Sequence, residues 1–148
     1  MSTPAQPQVD LRGPRFAAWV SSLVLVVVLL TGSGWLLAAQ SVVFVVGAAL
    51  GPRRSPYGVL FARLLAPRLS PTTEREPVAP LRFAQGVGAV FTVVGTVGYL
   101  AGVPALGAVA SGFALVAALL NAALGLCLGC QLYPLVARLR PVAPIRAA

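Results

Sequence analysis

FAQGVGAVFTVVGTVGYLAGVPALGAVASGFALVAALLNAALGLCL, residues 83–128, contains no Asp, Glu, Lys, Arg or His. A helix needs roughly 17–25 apolar residues to cross about 30 Å of hydrocarbon. Phe83 to about Gly102 supplies one such length and Leu106 to Leu128 another, with Pro104 marking the turn between them. Upstream, Phe16–Leu30 and Trp35–Leu50 are apolar too, separated by Thr31-Gly32-Ser33-Gly34. These two runs are short, so a crossing requires little tilt or a locally thinned bilayer. A re-entrant first hairpin is one alternative. A cleaved signal segment is another, but Thr31–Gly34 lacks a clear A-x-A site.

Composition supports a membrane class. Of 148 residues, 58% are hydrophobic and 9% charged, against about 25% charged in an average globular domain. So few polar side chains cannot cover a soluble surface of this size. The net charge of +8 comes from eleven Arg, with no Lys or His, against Asp10, Glu74 and Glu76. These arginines flank apolar runs, which argues for the lipid bilayer as partner and against nucleic acid. The turns at 31–34 and 103–105 contain no Arg. The positive-inside rule then puts both termini and the central loop in the cytoplasm. The expected location is the cell inner (plasma) membrane, multi-pass, N-in and C-in.

The expected fold is an all-α membrane protein: four transmembrane helices as two tandem hairpins in a pseudo-twofold repeat. Residues 1–15 form a cytoplasmic arm and 16–51 the first hairpin. An Arg-rich loop occupies 52–82, the second hairpin 83–130, and an interfacial helix and tail 131–148. The repeat is carried by echoes. Arg15-Phe16-Ala17 matches Arg82-Phe83-Ala84, and Leu60-Phe61-Ala62-Arg63-Leu64 matches Leu135-Val136-Ala137-Arg138-Leu139. Two spans per half give repeats of the same orientation, related by an axis along the membrane normal.

A short amphipathic segment follows each hairpin. Tyr57, Leu60, Phe61, Leu64 and Leu65 recur at helical spacing with Arg63 off the stripe, and Leu132, Leu135, Val136 and Leu139 repeat the pattern beside Arg138 and Arg140. Such helices lie on the inner leaflet, where arginine meets anionic head groups. Pro134 suits the first turn of the second one.

Cys127-Leu128-Gly129-Cys130 is the sharpest chemical feature. Thiols three apart on a helix share a face, so the pair can close a disulfide, exchange it with a partner, or carry sulfur as a persulfide. The plainer reading is two small residues that pack helices. The pair is expected at the cytoplasmic mouth of span four and, in the repeat, opposite Gly51-Pro52-Arg53-Arg54. Arg53 and Arg54 would then stabilise a thiolate or hold a sulfur anion, or else act only as topology anchors. The C-terminal end of a helix works against a thiolate.

Ala84, Gly88, Thr92 and Thr96, together with Gly125/Gly129 and Ala108/Gly112, read as faces for close helix approach. Gln40 and Asn121 read as intramembrane amides that bond between helices. No other catalytic constellation is present, and no metal or cofactor is implied. Without His, two thiolates fall short of the four ligands of a structural zinc site.

Four segments together resemble a bacterial membrane family, domain of unknown function number 4395. They are Val9-Asp10-Leu11-Arg12-Gly13-Pro14-Arg15-Phe16, Gly51 through Gly58 (GPRRSPYG), Arg82-Phe83-Ala84-Gln85 and Cys127-Leu128-Gly129-Cys130. The resemblance covers nearly the whole chain. It implies association with a thioredoxin-like or rhodanese-like cytoplasmic protein. The four-span plan with a cysteine pair is also similar to membrane thiol oxidoreductases of the vitamin K epoxide reductase type. This chain departs from those in having no second cysteine pair.

The leading expectation is a membrane partner in thiol–disulfide exchange or sulfur transfer through Cys127 and Cys130, with Arg53 and Arg54 tuning the thiols or binding substrate. A non-enzymatic scaffold with packing cysteines is the alternative. A small sulfur-anion transporter, acting as a homo-oligomer, is a third reading.

Overall fold

A computed structural model describes residues 8–70, 75–125 and 127–139; residues 1–7, Glu74, Arg140 and Arg146 lie outside the described residues. Helices α1 (Arg12–Thr31) and α2 (Gly34–Leu50) form a first hairpin, followed by α3 (Pro56–Leu64) and a 3-10 turn at Ala66–Arg68. Helices α4 (Val78–Leu100) and α5 (Pro104–Leu124) form a second hairpin, followed by α6 (Leu128–Leu139). One departure from an all-helical chain is a small antiparallel ribbon. In it β1 (Gln8–Asp10) pairs with β2 (Arg75–Pro77), with Val9 opposite Glu76.

The turns form where the sequence permits a left-handed residue. Gly32 ends α1 at φ 65, and its N–H donates to the Val28 carbonyl at 2.7 Å. Ser33 opens α2 by accepting the Leu36 N–H at 3.2 Å, which satisfies one of the orphan donors of a helix start. In the second hairpin Gly102, at φ 83, is followed by Pro104 in the first turn of α5.

Helices α1, α4 and α5 contain 20, 23 and 21 residues and are long and apolar enough to cross a membrane. Helix α2 has 17 residues. At about 1.5 Å per residue it extends about 26 Å, short of the roughly 30 Å hydrocarbon core. Three helices rather than four therefore meet the span criterion.

The bundle is inverted relative to a soluble protein. Ser21, Ser22, Gln40, Ser41, Thr92 and Ser111 are buried, while Trp19, Leu23, Leu30, Trp35 and Val90 are exposed. Such an exterior is compatible with a lipid surround, and interhelical hydrogen bonds and small side chains hold the interior. Gln40 is the clearest case. Its Nε2 donates to Ser21 Oγ at 3.1 Å and its Oε1 accepts the Tyr57 hydroxyl at 2.6 Å, tying together α1, α2 and α3. Burial pushes the Tyr57 phenol above its ordinary range.

Helix α4 packs on α2 and α5, α1 packs mainly on α5, and α3 and α6 lie beside α1 and α4 respectively. The end that carries the two interhelical turns is tightly packed. Leu25, Val28 and Leu37 are fully buried there, beside Ala114 and Tyr99. Gly98 lets α5 approach α4 so closely that a Cβ on it would lie 2.7 Å from the Gly107 nitrogen.

Several expected packing faces resolve differently. Gly88 does make room for a neighbour, the Phe44 ring on α2. Thr96 lies 3.4 Å from Ser41, oxygen to oxygen, across α2 and α4. Gly112 instead faces open space, and Ala108 is exposed. Gly125 and Gly129 form no common face, because Gly125 ends α5 in the left-handed region at φ 69. Pro134 lies well inside α6 rather than in its first turn, because that helix already starts at Leu128.

Candidate functional site

Opposite the packed end, the bundle is hollow. Small residues create the space: Gly13, Ala17 and Ser21 on α1 and Ala84 and Gly88 on α4 line a cavity of about 520 Å³. Phe44 closes it from α2, and Ala114, Ala117 and Asn121 contribute from α5. Asp10, Arg53 and Arg75 line it as well, so one end of a mostly apolar volume meets two guanidinium groups.

The ribbon brings Asp10 and Arg75 together as paired residues, although they are far apart in the chain. Arg12 engages Asp10 from its backbone N at 2.9 Å, its Nε at 3.2 Å and its Nη2 at 3.0 Å. Those hydrogen bonds to its side chain hold the Asp10 carboxyl below the usual carboxylate range, with the nearby Arg75 charge adding to the effect. Arg53 Nη2 donates to the Gln8 carbonyl at 3.3 Å, which anchors the guanidinium to the ribbon.

Cys127 also lines this cavity. The cysteines do not prolong the fourth apolar helix, which stops at Leu124. They start α6. The two Sγ atoms are bonded to each other, with Cα atoms 5.1 Å apart, and both residues are half-buried. The Cys130 N–H donates to Cys127 Sγ at 3.3 Å, and the Gln131 N–H donates to the Cys127 carbonyl at 3.0 Å. The same arrangement opens α3, where the Gly58 N–H donates to Ser55 Oγ at 3.1 Å. Cys127 thus holds a capping position that an oxygen holds in the first half. The expectation that a helix C-terminus works against a thiolate there is corrected. The nearest helix end is an N-terminus, whose N–H groups and dipole favour an anion.

Cys127 and Arg53 therefore share one cavity. Arg54 is exposed and does not line it, and Cys130 is not among the lining residues. Ser55 rather than Arg53 or Arg54 occupies the capping position that corresponds to Cys127. Sequence reasoning missed Asp10 and Arg75 at the mouth. The signal was faint, because Arg75 reaches it only through a three-residue strand pairing.

The chain belongs to a family described as Domain of unknown function (DUF4395), whose model matches residues 9–138. No curated protein and no solved structure matches it.

Proposed function

We propose that this member of the DUF4395 family is a membrane partner in thiol–disulfide exchange or sulfur transfer, acting through Cys127 and Cys130 at the cytoplasmic face. The observation that carries this reading is the pairing of the two sulfurs, with Cys127 capping a helix start and lining the same cavity as Arg53. In the reduced state the α6 N-terminus and Arg53 favour the Cys127 thiolate. That thiolate attacks a partner disulfide, forming a mixed disulfide and releasing one partner thiolate. Cys130 then displaces the second, leaving the Cys127–Cys130 disulfide and a reduced partner. In the sulfur-transfer version the Cys127 thiolate attacks the outer sulfur of a partner's persulfide, breaking its S–S bond; the partner leaves as a thiolate and Cys127 carries the persulfide. A thioredoxin-like or rhodanese-like protein fits either step.

The membrane placement belongs to this proposal: four spans in two hairpins related by a pseudo-twofold axis, with α2 crossing nearly untilted. Matched contacts support it. Arg15 Nη2 donates to the Ala122 carbonyl at the end of α5 at 3.3 Å. Its echo, Arg82, donates to the Ala48 and Ala49 carbonyls at the end of α2, both at 2.8 Å. Phe16 meets Phe61 at 5.9 Å and Phe83 meets Tyr133 at 6.0 Å. The arginines gather at the hollow end and are absent from both turns, so the positive-inside rule puts the cavity mouth and the cysteines in the cytoplasm.

A redox titration tests the chemistry. An exchange pair equilibrates with thiol buffers between about −300 and −180 mV, whereas a structural disulfide stays oxidised below about −300 mV. The pair should titrate inside that window when alkylated fractions are read by mass spectrometry. A midpoint below it supports the second reading, an accessory subunit in which the cysteines only hold α6. That reading is favoured by the likeness of Cys127 to the capping Ser55.

A further inference from the structure

We propose that the hollow end of the bundle is a binding site for a single-chain anionic amphiphile, its tail in the cavity and a carboxylate or phosphate-monoester head between Arg53 and Arg75. The inference rests on the membrane placement of the bundle and on no chemistry of the cysteines.

The cavity, at about 520 Å³, falls within the roughly 300–1,000 Å³ of small-ligand sites. It suits one chain and not a whole two-chain lipid. Water is a poor filler of the stretch walled by Ala17, Phe44 and Ala84, since a water molecule in a cavity needs several polar partners, and the polar side chains Ser21, Gln85 and Asn121 occupy only part of the lining. Left empty, the lining side chains would lose dispersion contacts on one side.

Access from the bilayer is built in. Phe91 and Phe113 line the cavity, their rings 5.8 Å apart, yet they are 36% and 61% exposed. At that spacing the rings touch, so the pair forms an exposed apolar rim, and a tail entering beside it crosses no polar barrier.

Charge selects the head. Arg53 and Arg75 line the same volume as this aromatic rim. Asp10 is the acidic side chain among the lining residues, and Arg12 holds it in an ion pair at 3.0 Å. Among the described lining residues the guanidinium groups of Arg53 and Arg75 thus outnumber the one carboxylate, which Arg12 already pairs. A neutral molecule leaves that charge unanswered, whereas a carboxylate or phosphate accepts guanidinium hydrogen bonds in a fork geometry.

The test uses the full-length chain in phosphatidylcholine nanodiscs, with cis-parinaric acid as the fluorescent probe. Helical circular dichroism and recovery of the chain in the discs report insertion separately from binding. Saturable binding is expected, at least tenfold tighter than for the methyl ester. The double variant R53Q/R75Q should weaken it at least tenfold with helicity retained. Ala17→Leu, which fills the cavity, should weaken it similarly, and Ala117→Leu on the opposite wall serves if the first variant misfolds. Displacement by laurate better than by dodecyl phosphate identifies a carboxylate head, and the reverse order a phosphate head; both support the site. Equal affinity for the methyl ester, indifference to R53Q/R75Q, or displacement by inorganic phosphate at matching concentration would overturn it.

Discussion

The two ends of the bundle are built on opposite principles from the same kinds of residue. At the turn end, glycines bring helices together: Gly98 sits against the Gly107 backbone, and Gly107 in turn faces the Tyr99 ring. At the Arg-bearing end the glycines are covered as well, Gly13 by the Phe61 ring and Gly88 by the Phe44 ring, but Ala17 and Ala84 face a cavity instead. A small residue therefore does not by itself mean close approach. What decides is whether the facing helix supplies a side chain to fill the gap, as Tyr99 does and Ala17 does not. Close packing is concentrated at one end, and the cavity and the arginines that line it lie at the other.

The sharpest way to break this contrast is Gly98→Val. Its Cβ would meet backbone at 2.7 Å, which no rotamer change relieves. A loss of about 2–3 kcal/mol is expected, at the upper end of overpacking penalties. Unfolding in micelles followed by circular dichroism measures it. A loss below about 0.5 kcal/mol would show that the turn end is not tightly packed.

A smaller effect tests whether the hollow end holds its own structure. Ser55 is 4% exposed and caps α3, so Ser55→Ala should cost about 1 kcal/mol, a typical cap loss. Cys127→Ser should change stability by only a few tenths of a kcal/mol, because a serine oxygen is the better cap, while abolishing the Cys127–Cys130 disulfide and every reaction that needs both thiols. If Cys127→Ser costs as much as Ser55→Ala, the sulfur is there for structure and the accessory reading gains.

Much of this was legible in the sequence, but unevenly. Apolar runs and the absence of charge located the helices, and Gly32 and Pro104 marked the turns. Gln40 is the interhelical bond that its amide suggested. The cysteines were misplaced because the apolar run continues to Leu128 while the helix stops at Leu124. Gly125 was the stop signal, read instead as part of a packing pair. Arg82 could be seen as a flank residue, but not as the donor to the last carbonyls of α2, since that contact depends on which helices become neighbours. The ribbon of Val9 and Glu76 was invisible for the same reason, as three-residue strands carry no usable alternation.

The charge cluster at the mouth gives a weaker, pH-dependent effect. Hydrogen bonds from Arg12 lower the Asp10 carboxyl in the folded chain. Its contribution is therefore present above the unfolded carboxylate pKa and is lost as pH falls through the depressed folded value. Wild type should exceed Asp10→Asn in thermal midpoint at pH 7 and lose that advantage on acidification. The pair is about one-third exposed, so the difference at pH 7 should stay below about 1 kcal/mol. An advantage that grows in acid would contradict the ion-pair geometry.

Smallest of all should be the stability effect of Ala17→Leu. Adding methylenes to an open apolar space should leave unfolding unchanged or slightly improved, within about 0.5 kcal/mol. A loss near that of Gly98→Val would mean that α1 and α4 are packed as tightly as the turn end.

Alkylation in inside-out membrane vesicles asks whether Cys127 and Cys130 are an accessible, reactive pair at the cytoplasmic face. After mild reduction, a charged, membrane-impermeant maleimide should modify both Cys127 and Cys130 without detergent. Prior treatment with a disulfide oxidant should protect both together, and Arg53→Gln should shift the reaction of Cys127 to higher pH. Thiols that react only from the opposite membrane face, or stay inert until detergent unfolds the chain, would contradict a cytoplasm-facing exchange pair.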